Sequence, residues 1–261
     1  MSTQQRHLLD LVEIVTRLRG PDGCPWDQEQ TLKSMRPYLL EEVYELLDAM
    51  EQDAGEDGLE GELGDTLFVL LLITAIAAEE GSLTLESVAG RIVQKMITRH
   101  PHVFGGDDET PDPGGISAWE ARKLKAGRSR LEGVPKSLPA LLRAHRQGEK
   151  AAAAGFDWPD HHGVFAKLDE EIAELREAIA EGDQDAIEHE VGDVLLSAAS
   201  LARHLSAPPE AALRRANERF SSRFRRLEQL AEEEGIALSG CTDDAVLDGL
   251  WERAKAEERM C

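Results

Sequence analysis

LDEEIAEL at residues 168–175, followed by HEVGDVL at residues 189–195, decides the fold, because both stretches recur in the first half of the chain as LLEEVYEL (39–46) and GELGDTL (61–67). The interval between the two stretches is nearly the same in each half. Two further matches follow in the same order: Lys95 and Arg99 with Arg219 and Arg223, then Trp119 and Lys123 with Trp251 and Lys255. A repeat that returns in order over most of a chain indicates two homologous domains.

The composition and spacing of the repeat predict an all-α fold. Only 5% of the residues are aromatic, and no segment alternates between apolar and polar residues over a useful length. Stretches rich in Asp and Gly, at residues 53–58 and 181–185, predict a turn between two antiparallel helices in each half. We expect tandem helical bundles of four to five helices each, at residues 1–130 and 131–261, with the boundary in the Gly- and Pro-containing stretch near residue 130.

The charge of the chain restricts its partners. Lys and Arg total 29 against 51 Asp and Glu, which gives a formal net charge of -22, so nucleic-acid polymers are excluded as first candidates. An anionic small molecule stays possible if the carboxylates hold a divalent cation. The apolar run at residues 66–78 is too short to cross a membrane, and the N-terminus does not resemble a signal peptide. Three widely separated cysteines are typical of a reducing cytoplasm, where we expect the protein to be.

The repeated acids predict a metal site. Glu171 and Glu174 share one helical face, as do Glu190 and Asp193, and both pairs border apolar positions. Four carboxylates that face one another repel unless a cation lies between them, and an oxygen-only ligand set favours Mg²⁺, with Mn²⁺ as a substitute. The first half repeats the set as a second site of uncertain activity, formed by Glu42, Glu45, Glu62 and Asp65.

Two other interpretations of these acids have to be compared with the metal site. A lone Glu-x-x-Glu is usually a solvated face of an amphipathic helix, but the presence of all four acids in both halves argues against that. A di-iron bundle needs Glu-x-x-His motifs, and no His in the chain has a Glu three residues before it. Gly64 and Gly192 each precede the Asp, and since Gly destabilises a helix interior, we expect another backbone or a ligand to approach closely at both positions.

Basic and aromatic residues in the second half predict contacts to an anionic nucleotide. Arg219 and Arg223 share a helical face and could bind phosphate oxygens, and Trp251 with Lys255 could cover a base and bind a phosphate. The alternatives are ordinary surface ion pairs for the arginines and a tryptophan that closes the helical core.

The sequence resembles the MazG family of nucleotide pyrophosphohydrolases over nearly its whole length. Besides the acidic motifs, the resemblance rests on GCPWD (23–27) with Gln30 and Thr31, RHPHVF (99–104), SLPAL (137–141) and GFDW (155–158). It implies Mg²⁺-dependent hydrolysis of nucleoside triphosphates to monophosphate and pyrophosphate by a homodimer, with the C-terminal half as the principal catalytic one. It also implies nucleotide contacts from Lys167, Arg219, Arg223, Trp251 and Lys255.

These features predict a mechanism in which the ions polarise the α-phosphoryl group and lower the pKa of a bound water. Glu170, or a ligand carboxylate such as Glu171, then accepts the proton of the attacking water. Two alternatives stay open: a nucleotide-sensing or dimerisation protein without turnover, and a hydrolase restricted to non-standard nucleotides.

Overall fold

A computed structural model of the chain describes residues 3–51, 55–81, 83–105, 129–238 and 243–258. Within these ranges every regular element is a helix and no strand occurs, so the all-α prediction is confirmed. The first six helices are α1 (Thr3–Leu18), α2 (Pro25–Glu29), α3 (Met35–Glu51), α4 (Gly55–Glu79), α5 (Leu85–Arg99) and α6 (Pro101–Phe104). They are followed by α7 (Ala140–Ala152), α8 (His161–Glu181), α9 (Gln184–His204), α10 (Pro209–Glu233) and α11 (Asp244–Glu258).

The chain forms two compact units, Met1–Ile116 and Ser117–Cys261. This division lies earlier than the boundary that we predict near residue 130, within a stretch, 106–128, that is outside the described residues. Trp119 and Lys123 of the repeat lie in that stretch. In the described part, the first unit has four long helices and two short ones, and the second has five, close to the four to five predicted for each.

In the first unit α3 pairs with α4, and α1 packs on α4. The core is formed by buried side chains from these three helices: Val15, Met35, Val69, Leu72 and Ile76. α4 begins at Gly55, so residues 55–58 are helical and our prediction of a turn at 53–58 is wrong for them. The cause is that burial of the apolar face of α4 stabilises the whole helix, including its Gly- and Asp-rich start. Local propensity alone disfavours a helix at that start.

In the second unit α8 pairs with α9, α7 packs on α9, and α10 pairs with α11. The connection between α8 and α9 is only two residues long: Gly182 takes a left-handed conformation with φ 72°, and Asp183 caps α9 by accepting hydrogen bonds from the backbone N–H groups of Asp185 and Ala186. The turn is therefore shorter than the predicted 181–185. Because it is so tight, it fixes the register at which the acids of α8 meet those of α9.

Among the described residues one helix, α4, contains a segment, Asp57–Glu79, that is long and apolar enough to cross a membrane by length and composition alone. The segment is longer than the run at 66–78 because the helix extends toward its N-terminus. Core helices of water-soluble domains pass the same test, and Val69, Leu72 and Ile76 are buried in the core of the unit itself. Leu63, Leu67 and Leu70 of the same helix are exposed.

Candidate metal and nucleotide site

The tight connection between α8 and α9 brings three of the four acids predicted for the second unit into one group. Carboxylate oxygens of Glu171, Glu174 and Glu190 all lie within 4.8 Å of one another. Glu171 is only 5% exposed, and Oε2 of Glu190 is buried without a hydrogen-bond partner among the described residues. The fourth acid, Asp193, is half-buried and outside this group, with its Oδ2 3.4 Å from His189 Nε2.

The first unit repeats the arrangement with a different third member. Carboxylate oxygens of Glu42, Glu62 and Asp65 lie within 4.8 Å of one another, and in the part of the chain that the structure describes Oε2 of Glu42 is buried without a hydrogen-bond partner. Glu45 lies outside the group but contributes to its field. Desolvation, followed by the negative charges of Asp65, Glu45 and Glu62, raises the pKa of Glu42.

A lysine distinguishes the second unit electrostatically. Lys167 Nζ donates to Oε1 of Glu170 and lies 2.8 Å from Oε1 of Glu171, and these hydrogen bonds raise the pKa of the lysine. Desolvation, together with the charges of Glu171 and Glu190, raises the pKa of Glu174, which Lys167 offsets only in part. The position four residues before Glu42, equivalent to that of Lys167, is occupied by Tyr38, so the first unit has no cation there.

The donor set fits a hard divalent cation. A buried carboxylate oxygen without a donor costs on the order of 1–3 kcal/mol or more, and both units place such an oxygen inside a group of three acids. A cation would supply the missing partner and remove the repulsion between the acids. Because all the ligand atoms are carboxylate oxygens, Mg²⁺ or Mn²⁺ is favoured over the softer transition metals.

In the described part of the chain, no other backbone approaches the two glycines that precede the Asp of each motif, and the close approach of a ligand stays a prediction. A Cβ built on Gly64 or Gly192 would meet no atom within 4 Å among the described residues. The tight packing that would explain these glycines is therefore not made by the described part of this chain.

The predicted nucleotide contacts beyond Lys167 lie on the α10–α11 pair rather than on the helices of the acids. Arg223 Nε donates to Glu258 Oε2 at 2.6 Å, Lys255 Nζ donates to Glu252 Oε1 at 2.7 Å, and Arg219 is exposed. The Trp251 ring lies 5.5 Å from the Phe220 ring and packs against a core of five buried side chains, Leu227, Leu230, Ala231, Leu250 and Ala254. These are the contacts of ion-pair partners and of a core tryptophan, and the role of these residues toward a nucleotide stays a prediction.

A cavity beside the acids is the feature that the sequence analysis missed. It has a volume of about 460 Å³, lies between α7, α8 and α9, and is bordered by Lys167, Glu171 and Asp193. The remaining walls include Ser197, Ser200 and Arg203 of α9, small residues of α7 and the aromatic side chains of the segment that precedes α8. The three-residue spacing of Ser197, Ser200 and Arg203 was a visible signal, because it puts three polar side chains on one face of the otherwise apolar segment 194–203 of α9.

One end of the cavity is held by an ion-pair network. Arg203 donates to Asp157 from both terminal nitrogens, at 2.8 Å and 2.5 Å, and His204 Nε2 lies 2.9 Å from the same carboxylate. The Arg203 hydrogen bonds lower the pKa of Asp157 to about 2, against the opposing effect of desolvation. A Cβ on Gly148 would lie 2.8 Å from Arg203 Nε, so a glycine is needed for the guanidinium to lie where it does.

Comparison with known proteins places the chain in a family. The model of the MazG nucleotide pyrophosphohydrolase domain matches it twice, at residues 30–104 and 160–226, and each match contains one of the acid groups. A Thermotoga maritima protein named nucleoside triphosphate pyrophosphohydrolase/pyrophosphatase MazG is 41% identical over 94% of both chains. An Escherichia coli K12 nucleoside triphosphate pyrophosphohydrolase is 39% identical over 95% of this chain and 97% of its own. An uncharacterized Bacillus subtilis protein is 40% identical over 94% of this chain, which spans 51% of that longer protein. The matches cover both acid-bearing units and nearly the full length of two named relatives, and the chain is therefore a member of the MazG nucleotide pyrophosphohydrolase family.

Proposed function

We propose that the protein is a cytoplasmic, Mg²⁺-dependent nucleoside triphosphate pyrophosphohydrolase, and that the second unit carries its principal active site. The observation that carries the proposal is the group of Glu171, Glu174 and Glu190, with a buried carboxylate oxygen that has no donor. The names of the relatives support the substrate class. In the reaction, the oxygen of water bonds to the α-phosphorus, the bond from that phosphorus to the bridging oxygen breaks, and pyrophosphate leaves with the bridging oxygen.

Glu171, Glu174, Glu190 and Asp193 would hold Mg²⁺, with Mn²⁺ as a substitute. The ion supplies Lewis acidity, which polarises the α-phosphoryl group and makes water a stronger acid. Asp193 and Glu171 both border the cavity described above.

The side chains around the acids would handle the proton and the phosphates. Glu170, which is exposed and hydrogen-bonded to Lys167, or Glu171 itself, accepts the proton of the attacking water. Lys167 then exchanges its carboxylate partners for a phosphate oxygen. Three further cations neutralise the leaving pyrophosphate: Arg219, Arg223 and Lys255. To do so, Arg223 and Lys255 must release the glutamates to which they are now hydrogen-bonded.

We also propose that the protein is a homodimer. Both units expose apolar side chains at equivalent positions of the helix pair that carries the acids: Met50 and Ile179, Leu63 and Val191, Leu67 and Leu195. A second copy would cover this face by the closed twofold symmetry that is commonest among oligomers. Light scattering at micromolar concentration should give twice the mass of the 28.7 kDa chain. An active monomer would contradict the dimer and favour packing of the two units on each other.

Product analysis tests the proposed activity. With a panel of common and non-standard nucleoside triphosphates, the protein should release monophosphate and pyrophosphate, and only when Mg²⁺ or Mn²⁺ is present. Diphosphate and orthophosphate as products would refute attack at the α-phosphorus, and full turnover in EDTA would refute the metal site. Nucleotide binding without any pyrophosphate release would identify a nucleotide sensor, and turnover of non-standard nucleotides alone would restrict the substrate class.

A further inference from the structure

We propose that a second cavity, which lies in the first unit between α1, α4 and the start of α5, binds a small amphipathic cation, that is, an amine carried on an apolar body. The cavity has a volume of about 370 Å³, near the lower end of the range for pockets that enclose small ligands, roughly 300–1,000 Å³. Binding there is separate from the proposed hydrolysis, which takes place at the acids of the second unit.

The cavity lies apart from the acid group of its own unit. On α4 its lining begins at Leu71, six residues after Asp65, and continues to Glu79 at the end of the helix. It is also not the counterpart of the cavity beside the acids of the second unit. The serines of α9 that line that cavity are matched in the first unit by Val69 and Leu72, which are buried in the core. The first unit therefore has a cavity of its own at the C-terminal end of α4.

The walls of this cavity suit an apolar body. Ala78 and Leu85 are exposed, so a ligand can reach the cavity from solvent at the connection between α4 and α5. Removal of an apolar group from water into such a space is favourable in proportion to the area that is buried. Six aliphatic side chains from three helices line the cavity: Val12, Val15, Leu71, Ala75, Ala78 and Leu85.

The two hydroxyl groups in the lining can only accept hydrogen bonds from a ligand. Thr16 Oγ1 donates to the backbone oxygen of Val12, and Thr74 Oγ1 donates to that of Leu70, both at 2.8 Å. A hydroxyl has one proton, and here the helix backbone already accepts it. A ligand that hydrogen-bonds to these threonines must therefore be a donor.

The ion pair in the lining selects the same sign of charge. Arg19 Nε and Nη2 donate to the carboxylate of Glu79 at 2.7 Å and 2.6 Å, and Nη1 donates to the backbone oxygens of Asp27 and Gln30. These hydrogen bonds lower the pKa of Glu79, and its side chain is 51% exposed, so an ionised carboxylate faces solvent at the cavity. An anionic ligand would have to displace Glu79 from Arg19. An ammonium group can instead add to the free lone pairs of Glu79.

The charge of the first unit acts in the same direction. Residues 1–116 contain 23 Asp and Glu against 8 Lys and Arg, so this unit carries most of the net charge of the chain. Two of these acids are exposed next to residues of the lining: Glu13 follows Val12, and Glu86 follows Leu85. The resulting field raises the local concentration of cations and lowers that of anions.

The second unit joins the equivalent helices at this place. The backbone N–H of Leu142, in the first turn of α7, donates to Glu210 Oε2 of α10 at 3.2 Å. The repeat places Asp10 and Glu86 at these two positions of the first unit. α1 begins at Thr3, so the N–H of Asp10 lies inside the helix, and two carboxylates repel each other. The first unit therefore cannot make the contact that joins α7 to α10, and the cavity lies between its corresponding helices.

Two probes with the same ring and opposite charge test the proposal on the parent protein. Tryptamine should shift the methyl resonances of Val12, Leu71 and Leu85 in a saturable manner, with a Kd of about 1 mM or tighter. The titration is made in excess Mg²⁺, so that the ion competes with the amine for the acid groups. Indole-3-propionate should bind at least about tenfold more weakly. Equal affinities for the two probes, the absence of saturable shifts, or shifts confined to the acid groups would each overturn the proposal.

A variant that fills the cavity supplies a second test. Ala78→Leu adds a larger side chain to the lining at an exposed helical position, and it should weaken tryptamine binding by about tenfold or more. Ala89→Leu, at an exposed position of α5 outside the lining, is the matched control and should bind tryptamine as the parent does. Unchanged affinity in Ala78→Leu would overturn the proposal. Because the titration of the parent locates the ligand independently, misfolding of the variant would not decide the outcome.

Discussion

Replacing Glu190 by Gln tests whether the acid group is built for a cation. The substitution removes one negative charge and keeps the size of the side chain. Glu190 contributes a buried oxygen without a donor to a group whose carboxylate oxygens lie within 4.8 Å of one another. Without a cation these charges repel, so Glu190→Gln should make the protein more stable in EDTA. In Mg²⁺ the parent should regain the advantage, because it keeps the ligand that the variant has lost.

The distances set the size of the effect. Two unit charges 4.8 Å apart repel by about 3.5 kcal/mol at an effective dielectric constant near 20, and by about 0.9 kcal/mol in water. Glu190 is half-buried, which places its repulsion with Glu171 between these limits, and Lys167 cancels part of it. We expect a net gain of about 1–2 kcal/mol in the free energy of unfolding in EDTA, or a melting temperature higher by roughly 2–8 °C.

Thermal unfolding followed by circular dichroism, in EDTA and in Mg²⁺, measures both effects. Glu188→Gln is the matched control, because it removes the same charge from an exposed position of the same helix. The first unit keeps its own acids, so the Mg²⁺-induced rise in melting temperature should shrink in Glu190→Gln and disappear when Glu62→Gln is added. A lower melting temperature for Glu190→Gln in EDTA, or an unchanged response to Mg²⁺ in the double variant, would refute the argument.

Three further predictions follow from the second unit. Asp157 has a pKa of about 2 in the fold against an ordinary 3.8, so its ionised form stabilises the fold by roughly 2 kcal/mol above pH 4. This contribution is lost as the pH falls toward 2, and acid unfolding of Asp157→Asn should therefore lack that pH dependence. An acid-unfolding profile identical to that of the parent would contradict the prediction. Glu174→Ala should lower kcat/KM for pyrophosphate release by about a hundredfold or more, whereas Glu45→Ala should lower it by at most about twofold. Equal losses in the two variants would show that both units are catalytic. Gly148→Ala should lower the urea concentration at the midpoint of unfolding, because the added Cβ would lie 2.8 Å from Arg203 Nε. Helix propensity alone would raise this midpoint, since Ala favours helices over Gly. A higher midpoint would therefore show that the Arg203 guanidinium can move away.

Much of the fold could be predicted because the sequence contains it twice. A motif that occurs once leaves helix pairing open, but two copies at nearly the same interval require that the same two helices meet in each half. The end of a helix is harder to predict, as α4 demonstrates. Residues 55–58 have the composition of a turn, yet they are helical because packing of the long apolar face beyond them stabilises the whole helix.

The site was predictable to the extent that it depends on local spacing. Helical periodicity places Glu171 beside Glu174, and the short connection places Glu190 against both. Asp193 lies about one turn farther along α9 and outside the group. At that distance from the connection, the angle between α8 and α9 decides which acids meet, and sequence spacing does not encode that angle. The cavity was missed for a related reason, since it depends on how the small residues of α7 pack against α9, and sequence spacing does not encode that packing.

The acids alone do not tell the two units apart, because each unit brings three carboxylates within 4.8 Å. A feature that both copies share can explain only what both copies do, which we propose is to hold a cation. Differences in function must come from residues that differ, and those around the acids include Lys167 against Tyr38, Ser197 against Val69 and Ser200 against Leu72. Each difference adds a polar or cationic group to the second unit where the first has an aromatic or aliphatic one.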